Sequence, residues 1–388
     1  MILSSLAAAA ALVQPLAEVP FRVAEDAIIV EAQVNGRKLA LMVDTGFGGA
    51  VSVDSVVNIG KPTGTMNLKD FVGTFQAQSV KVQSLRIGGY AVPPGDMEAM
   101  LAPGERYSSF SYNTHVDGIL GLEPFKAGPF EINFQNRKFV FYPKSFDVTQ
   151  RVPDGKRTFL AKMLPIGHSS IELSVEAPSG KRLVMALDTG NSFYATTHKD
   201  VLERVGLWPQ GRKPKFVRTV GVASGPVDSW VKRMTGMRIF GVEVPESYWD
   251  VIDLPASSAE SDGTIGFQFL KNFNIVVDYE RRRVWLENFT GKVSEPPVAD
   301  VGIVLRADQA ANRLRVARVL AGSPADRAGV KENDQLLAID GKSYFANVGF
   351  RQLRLLTQGP AGSKVRLAFS RGGQLIQLDL EREPLYND

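Results

Sequence analysis

The chain contains its own copy. Residues 27 to 46 read AIIVEAQVNGRKLALMVDTG, and residues 170 to 190 read SIELSVEAPSGKRLVMALDTG. Each stretch is an alternating apolar strand (Ile28, Val30 and Ala32; Ile171, Leu173 and Val175), a glycine-bearing turn, and a second apolar strand running into Asp-Thr-Gly. The aspartates, Asp44 and Asp188, are offset by 144 residues. Further on, Val116-Asp117-Gly118-Ile119-Leu120-Gly121 is echoed by Ser261-Asp262-Gly263-Thr264-Ile265-Gly266, an offset of 145 from Gly118 to Gly263. After each glycine motif comes an aromatic-rich strand pair, beginning at Phe130 and at Phe273. A repeat of this length built from strands predicts a duplicated β-domain.

A single Asp-Thr-Gly is a weak signal, expected by composition in roughly one chain in ten of this length. Asp-Gly and Thr-Gly also mark ordinary hairpin turns. Turn chemistry explains one copy comfortably and two copies poorly, because both share strand context and a matched downstream Asp-Gly-x-x-Gly.

On these residues, about 25 to 290 of the chain resemble the pepsin and retropepsin superfamily of aspartic proteases in its bilobal, single-chain form. The resemblance implies an all-β fold of two retropepsin-like barrel lobes, over residues 19–148 and 156–290, with a cleft between them. It makes Asp44 and Asp188 the catalytic pair, supported by Thr45, Gly46, Thr189, Gly190 and Asn191, with Gly118, Gly121, Gly263 and Gly266 packing behind the loops.

The residue types suit that chemistry. Two carboxylates held close cannot both ionise cheaply, so the pair shares one proton over a useful pH window. One member takes a proton from water while the other donates to the developing oxyanion. Glycine lets two backbones approach where a Cβ would collide. The sequence departs from the family after each tripeptide, where Phe47 and Asn191 stand instead of Ser or Thr. Phe47 offers no side-chain hydrogen bond, whereas an Asn191 amide donating to its neighbour would favour the charged form. The expectation is therefore that Asp188 carries the charge and Asp44 the proton. A flap is expected at the hairpin-like stretch from Thr63 to Phe75, with Gly221 to Gly225 in the corresponding place of the second half.

Beyond residue 290, Glu295-Pro296-Pro297 reads as a short stiff linker. Arg313 to Val319 alternates as a strand, Ser323-Pro324 opens a short capped helix that stops at Gly329, and Asp334 to Gly341 and a helical Gln352–Leu356 follow. This series resembles a PDZ domain of the bacterial protease-associated kind, placed at residues 299–384. The resemblance implies that Val301, Gly302, Ile303 and Val304 bind a peptide's terminal carboxylate, with a groove wall near Phe350 and Leu353. Asp300 is out of place there, since its charge should repel a terminal carboxylate. Internal segments, or docking on the lobes as a regulator, are the alternatives.

Composition narrows the rest. There is no cysteine, which removes disulfides, thiolate zinc sites and cysteine nucleophiles together. The three histidines, His115, His168 and His198, are scattered and outside any zinc-hydrolase spacing. A carboxylate metal site from Asp44, Asp117, Asp188 and Asp262 would be a poor cage, so no metal or other cofactor is expected. Forty-five Lys and Arg against 41 Asp and Glu give a net charge of +4 without like-charge blocks, so nucleic acid is not an expected partner. The apolar start, Met1 to Val13, is too short to span a membrane and reads as a secretory leader over residues 1–18, without the usual basic segment. The reading is thus an exported, periplasmic or extracellular, monomeric and pseudo-dimeric aspartic endopeptidase. It would act on proteins or peptides, with a PDZ module for substrate capture or regulation. Its rival is a catalytically silent double lobe that only binds extended peptides.

Overall fold

The computed structural model describes residues 13–69, 74–102, 114–165, 169–222, 225–254, 261–294, 296–308, 310–346 and 350–388. Strands dominate, and the duplication visible in the sequence is a duplication of sheet topology. In the first half the hairpin Ala27–Val34 and Arg37–Val43 is joined by Gly118–Leu120, which runs parallel to Arg37–Val43 and antiparallel to Val51–Asp54. In the second half the hairpin Glu172–Glu176 and Arg182–Leu187 is joined by Gly263–Ile265, parallel to Arg182–Leu187 and antiparallel to Ala195–His198. The registers correspond residue by residue: Leu120 sits opposite Val43, and Ile265 opposite Leu187. Among the described residues, ten strands make the first sheet and seven the second.

The apolar run at Ala27–Val30 is buried on both faces. Ile28 and Val30 enter the main core, while Ala27 and Ile29 belong to a smaller cluster with Met42 and Met100. That is why this strand reads as continuous hydrophobics where it begins and alternates only later.

The aromatic-rich pairs bind the halves together. Phe130–Asn133 with Lys138–Phe141, and Phe273–Asp278 with Arg283–Asn288, meet edge to edge with Phe130 opposite Val277 and Asn133 opposite Asn274. The result is one six-stranded sheet drawn from both halves, and the main core runs through both. Its outer strands are Ala17–Pro20 and Thr158–Lys162. The expected leader boundary falls within the first of these strands: Ala17 and Glu18 are ladder residues opposite Phe141 and Val140, and Glu18 pairs with Lys138 at 2.7 Å.

The C-terminal module has its own core of Val301, Ile303, Leu305, Leu314, Phe369 and their neighbours. Its sheet runs Ile303–Asp308, Arg313–Val319, Gln335–Ile339, Lys364–Arg371, Gln374–Glu381, which leaves Ile303–Asp308 at the edge with helix Phe350–Leu355 packed against it. Ser323 caps the helix Pro324–Arg327, accepting the Asp326 N–H. The module is fastened to the second half. Asn387 exchanges backbone hydrogen bonds with Val231 and Arg233 at 2.8 Å, and its side chain bonds Lys215. Arg318 reaches Asp228 at 2.8 Å, and the Arg354 guanidinium lies 4.5 Å from the centre of the Phe193 ring.

Candidate active site

The aspartate of each Asp-Thr-Gly hangs from the end of a strand and is held by its glycine motif. The Asp44 N–H donates to Leu120 O at 2.9 Å, and the Asp188 N–H to Ile265 O at 3.0 Å. One carboxylate oxygen of Asp44 accepts from the N–H groups of Gly46 (2.9 Å) and Phe47 (3.1 Å). Asp188 repeats this with Gly190 (2.9 Å) and Asn191 (3.1 Å). Two N–H donors per carboxylate fix its plane before any substrate arrives.

The loops are locked to each other by their threonines. The Thr45 hydroxyl donates to Leu187 O at 2.8 Å and accepts the Thr189 N–H at 3.0 Å. The Thr189 hydroxyl donates to Val43 O at 2.8 Å and accepts the Thr45 N–H at 3.1 Å. Both side chains are fully buried, so these four reciprocal bonds lie away from competing water.

The glycines are there for space. A Cβ on Gly46 would stand 2.5 Å from Cγ of Asp188, and one on Gly190 would overlap Asp44 in the same way. Each carboxylate therefore lies over the other half's glycine, which puts the two acids side by side. Gly118 and Gly263 are pressed against the backbone of Ser52 and Thr196, and Gly121 and Gly266 against the loops bearing Phe47 and Asn191. Side chains there would push the aspartate loops out of place.

Burial pushes both carboxyls above the ordinary carboxylate range. Asp44 is raised well above it, because the charge of Asp188 and the hydrogen bond between the two acids add to burial. For Asp188 burial is opposed by that same hydrogen bond, by the N–H groups of Asn191 and Gly190, and by the Thr264 hydroxyl. The donor differs from the one expected. The Asn191 amide does not reach Asp188; it donates to Thr196 (3.0 Å) and Thr264 (2.7 Å), while its oxygen accepts the Phe193 N–H (2.9 Å). The amide is drawn away because two buried hydroxyls need partners. Thr264, missed in the sequence, is the side chain that touches the acid. Comparing the two glycine motifs could have revealed it, since its counterpart in the first half is Ile119.

Other expected features separate. Gly64–Lys69 and Thr74–Lys81 do form an antiparallel hairpin, but residues 70–73 at its tip lie outside the described residues. The second-half hairpin pairs Val222 with Gly225, with 223–224 likewise outside. His115 pairs with Asp117 at 2.7 Å, His198 is buried with Nδ1 at 2.9 Å from Leu254 O, and His168 lies outside the described residues. Asp117 and Asp262 do not join the aspartate pair; each accepts a backbone N–H, from Ala40 (2.8 Å) and Val184 (2.9 Å).

In the C-terminal module, Val301 is buried, Gly302 has a left-handed backbone (φ +84°), and Ile303 opens the edge strand. Val304 is half-buried beside it and Leu353 is in the core, while the Phe350 side chain lies outside the described residues. The Asp300 carboxylate turns inward, accepting the Gly302 N–H at 3.0 Å.

The carboxy-terminal processing protease CtpA of Bacillus subtilis (strain 168) is 29% identical over 85 residues, 22% of this chain and 18% of the relative. The carboxyl-terminal-processing protease of Synechocystis sp. is 33% identical over 76 residues, 20% of this chain and 18% of its own. The chain thus spans less than a fifth of the length of these relatives. Among solved structures, the aspartic proteinase from Irpex lacteus is similar over 71% of this chain and 97% of its own, with 14% identity and a TM-score of 0.44. Residues 315–371 match the PDZ_6 family, described as PDZ domain. The C-terminal module is a PDZ domain.

Proposed function

We propose that the two lobes form an aspartic-type endopeptidase and that the PDZ domain captures or positions its protein substrates. The observation that carries this reading is the reciprocal seating of Asp44 and Asp188, each over the other half's glycine and locked by the Thr45–Thr189 exchange. With Asp44 protonated and Asp188 ionised, a water bound between them gives a proton to Asp188 as its oxygen bonds to the scissile carbonyl carbon. Asp44 donates its proton to the carbonyl oxygen. Collapse of the tetrahedral adduct breaks the C–N bond, and the proton held by Asp188 passes to the leaving nitrogen. Asp44 recovers its proton from the collapsing hydroxyl, which returns the pair to its starting state.

The half-chain repeat supplies both acids, so a single copy of the chain suffices for a complete site. The leader-like start supports an exported location; no helix among the described residues is long and apolar enough to cross a membrane. The test is hydrolysis of an unfolded protein such as casein. Asp44→Asn and Asp188→Asn should each lower kcat/KM by about 10³-fold or more with the fold retained, and chelator should have no effect. Retained cleavage in either variant overturns the mechanism. Binding without cleavage by the unaltered protein favours the silent double lobe instead.

A further inference from the structure

The PDZ domain carries a feature that the peptidase reading leaves unused. The resemblance to PDZ domains places a bound peptide's terminal carboxylate at the loop Asp300-Val301-Gly302-Ile303, where backbone N–H groups would receive it. Here an acid from the chain is already there. Asp300 accepts the Gly302 N–H at 3.0 Å; burial pushes its carboxyl up, and the neighbouring Gly302 N–H, Thr357 side chain and Val301 N–H oppose that. Thr357 is buried, so this contact is part of the interior.

The loop is rigid around that acid. Val301 O accepts the Ala325 N–H and Gly302 O the Leu320 N–H, both at 2.9 Å, and a Cβ on Gly302 would collide with Ser323. Ala299 O accepts the Gly359 N–H at 3.0 Å, which ties the residue before Asp300 to the segment after the groove helix. The second lobe stands at the same end: Arg218 and Arg354 lie 5.5 Å and 4.5 Å from the centre of the Phe193 ring. An incoming terminal carboxylate would meet a donor already taken by an acid of the chain. Among the described residues, strand Ile303–Asp308 by contrast pairs with Arg313–Val319 alone and leaves its other edge for strand addition.

We propose that Asp300 fills from within the chain the position of a terminal carboxylate, so that this groove accepts internal extended segments of a polypeptide along Ile303–Asp308 and does not read free C-termini. The assignment rests on the reading of the groove as a peptide site. It fits an endopeptidase, whose substrates must be engaged away from their ends.

The test uses the full chain carrying Asp44→Asn, so that peptides stay intact. Fluorescein-labelled decapeptides ending in Ala, Val, Leu or Phe are titrated as free acids and as C-terminal amides. With Asp300 present, acid and amide should bind within twofold of each other. Asp300→Ala, and independently Asp300→Gly, should bind the acid at least tenfold more tightly than the amide. A tenfold acid preference with Asp300 in place overturns the assignment while leaving the groove a peptide site, and needs no variant at that residue. A folded Asp300 variant without acid preference also overturns it. If no peptide binds any of these proteins, the groove reading itself fails and the assignment falls with it.

Discussion

In the first half, the strand behind the aspartate loop carries Ile119, and the residue after the tripeptide is Phe47; in the second half the same places hold Thr264 and Asn191. The backbones around them are superposable in kind. Each aspartate is suspended from its glycine-motif strand, each accepts two loop N–H groups, and each threonine makes the same pair of bonds. What differs is that the Thr264 hydroxyl of its own lobe opposes the burial of Asp188, whereas for Asp44 the charge of Asp188 and the bond between the acids add to burial. The symmetric backbone brings two like charges together, and the side chains around them differ, which in the proposed mechanism leaves the proton on Asp44. The PDZ domain deepens the inequality, since Asn387, Arg318 and Arg354 all fasten it to the second half.

The symmetric part of this comparison is the more sensitive to substitution. Gly46→Ala and Gly190→Ala each put a methyl group where the opposite carboxylate lies, and both should lower peptide hydrolysis by about 10²-fold or more. A variant in one half that retained activity would break the equivalence of the loops. Thr45→Val and Thr189→Val come next. Each leaves a buried carbonyl and a buried N–H without their partner, and should cost about 2–5 kcal/mol, nearly equally, in urea unfolding midpoints.

The asymmetric part is read in pH profiles. Thr264→Val removes the hydroxyl that favours ionised Asp188, so the acid limb of the kcat/KM profile should move to higher pH. Asn191→Ala should move it the same way but less, because its amide acts through Thr264. An equal shift from Ile119→Val would show that the second half has no special role. Only the apparent values of the pair are measured in this way.

The smallest effect is on stability. A carboxyl raised above its ordinary value binds its proton more tightly in the folded state, so its contribution is present in acid and lost as pH rises through the folded value. Asp44→Asn removes that loss. The variant should therefore melt higher than the unaltered protein at neutral and alkaline pH, with the gap closing toward acid. A gap that widens toward acid would reverse the sign assigned to the pair.

How much was legible depends on how far apart the interacting residues lie. The hairpins, the capped Ser323–Arg327 turn and the strand Arg313–Val319 follow from alternation, caps and turn residues within a few positions of each other. Asn191 was singled out for its amide, but which acceptor an amide chooses depends on what else is buried nearby. Thr196 is five residues away and Thr264 seventy-three, and together they outbid Asp188. Asp300 was recognised as a misplaced charge next to the PDZ loop. That it bends back onto Gly302 depends on local backbone direction together with Thr357, fifty-seven residues on in the chain.

From the residues alone came the doubled plan: two strand pairs ending in Asp-Thr-Gly, two glycine motifs at a matched interval, and a third module of different pattern. These are carried by short-range periodicity and by glycines that tolerate no substitute, so they survive in a linear reading. The folded chain alone decided that Thr45 and Thr189 exchange hydrogen bonds across 144 residues, that Thr264 reaches Asp188, and that the leader-like segment runs into a ladder strand at Ala17. The reason is physical: a hydrogen bond between distant segments depends on where packing brings them, and packing leaves no periodic trace in either segment.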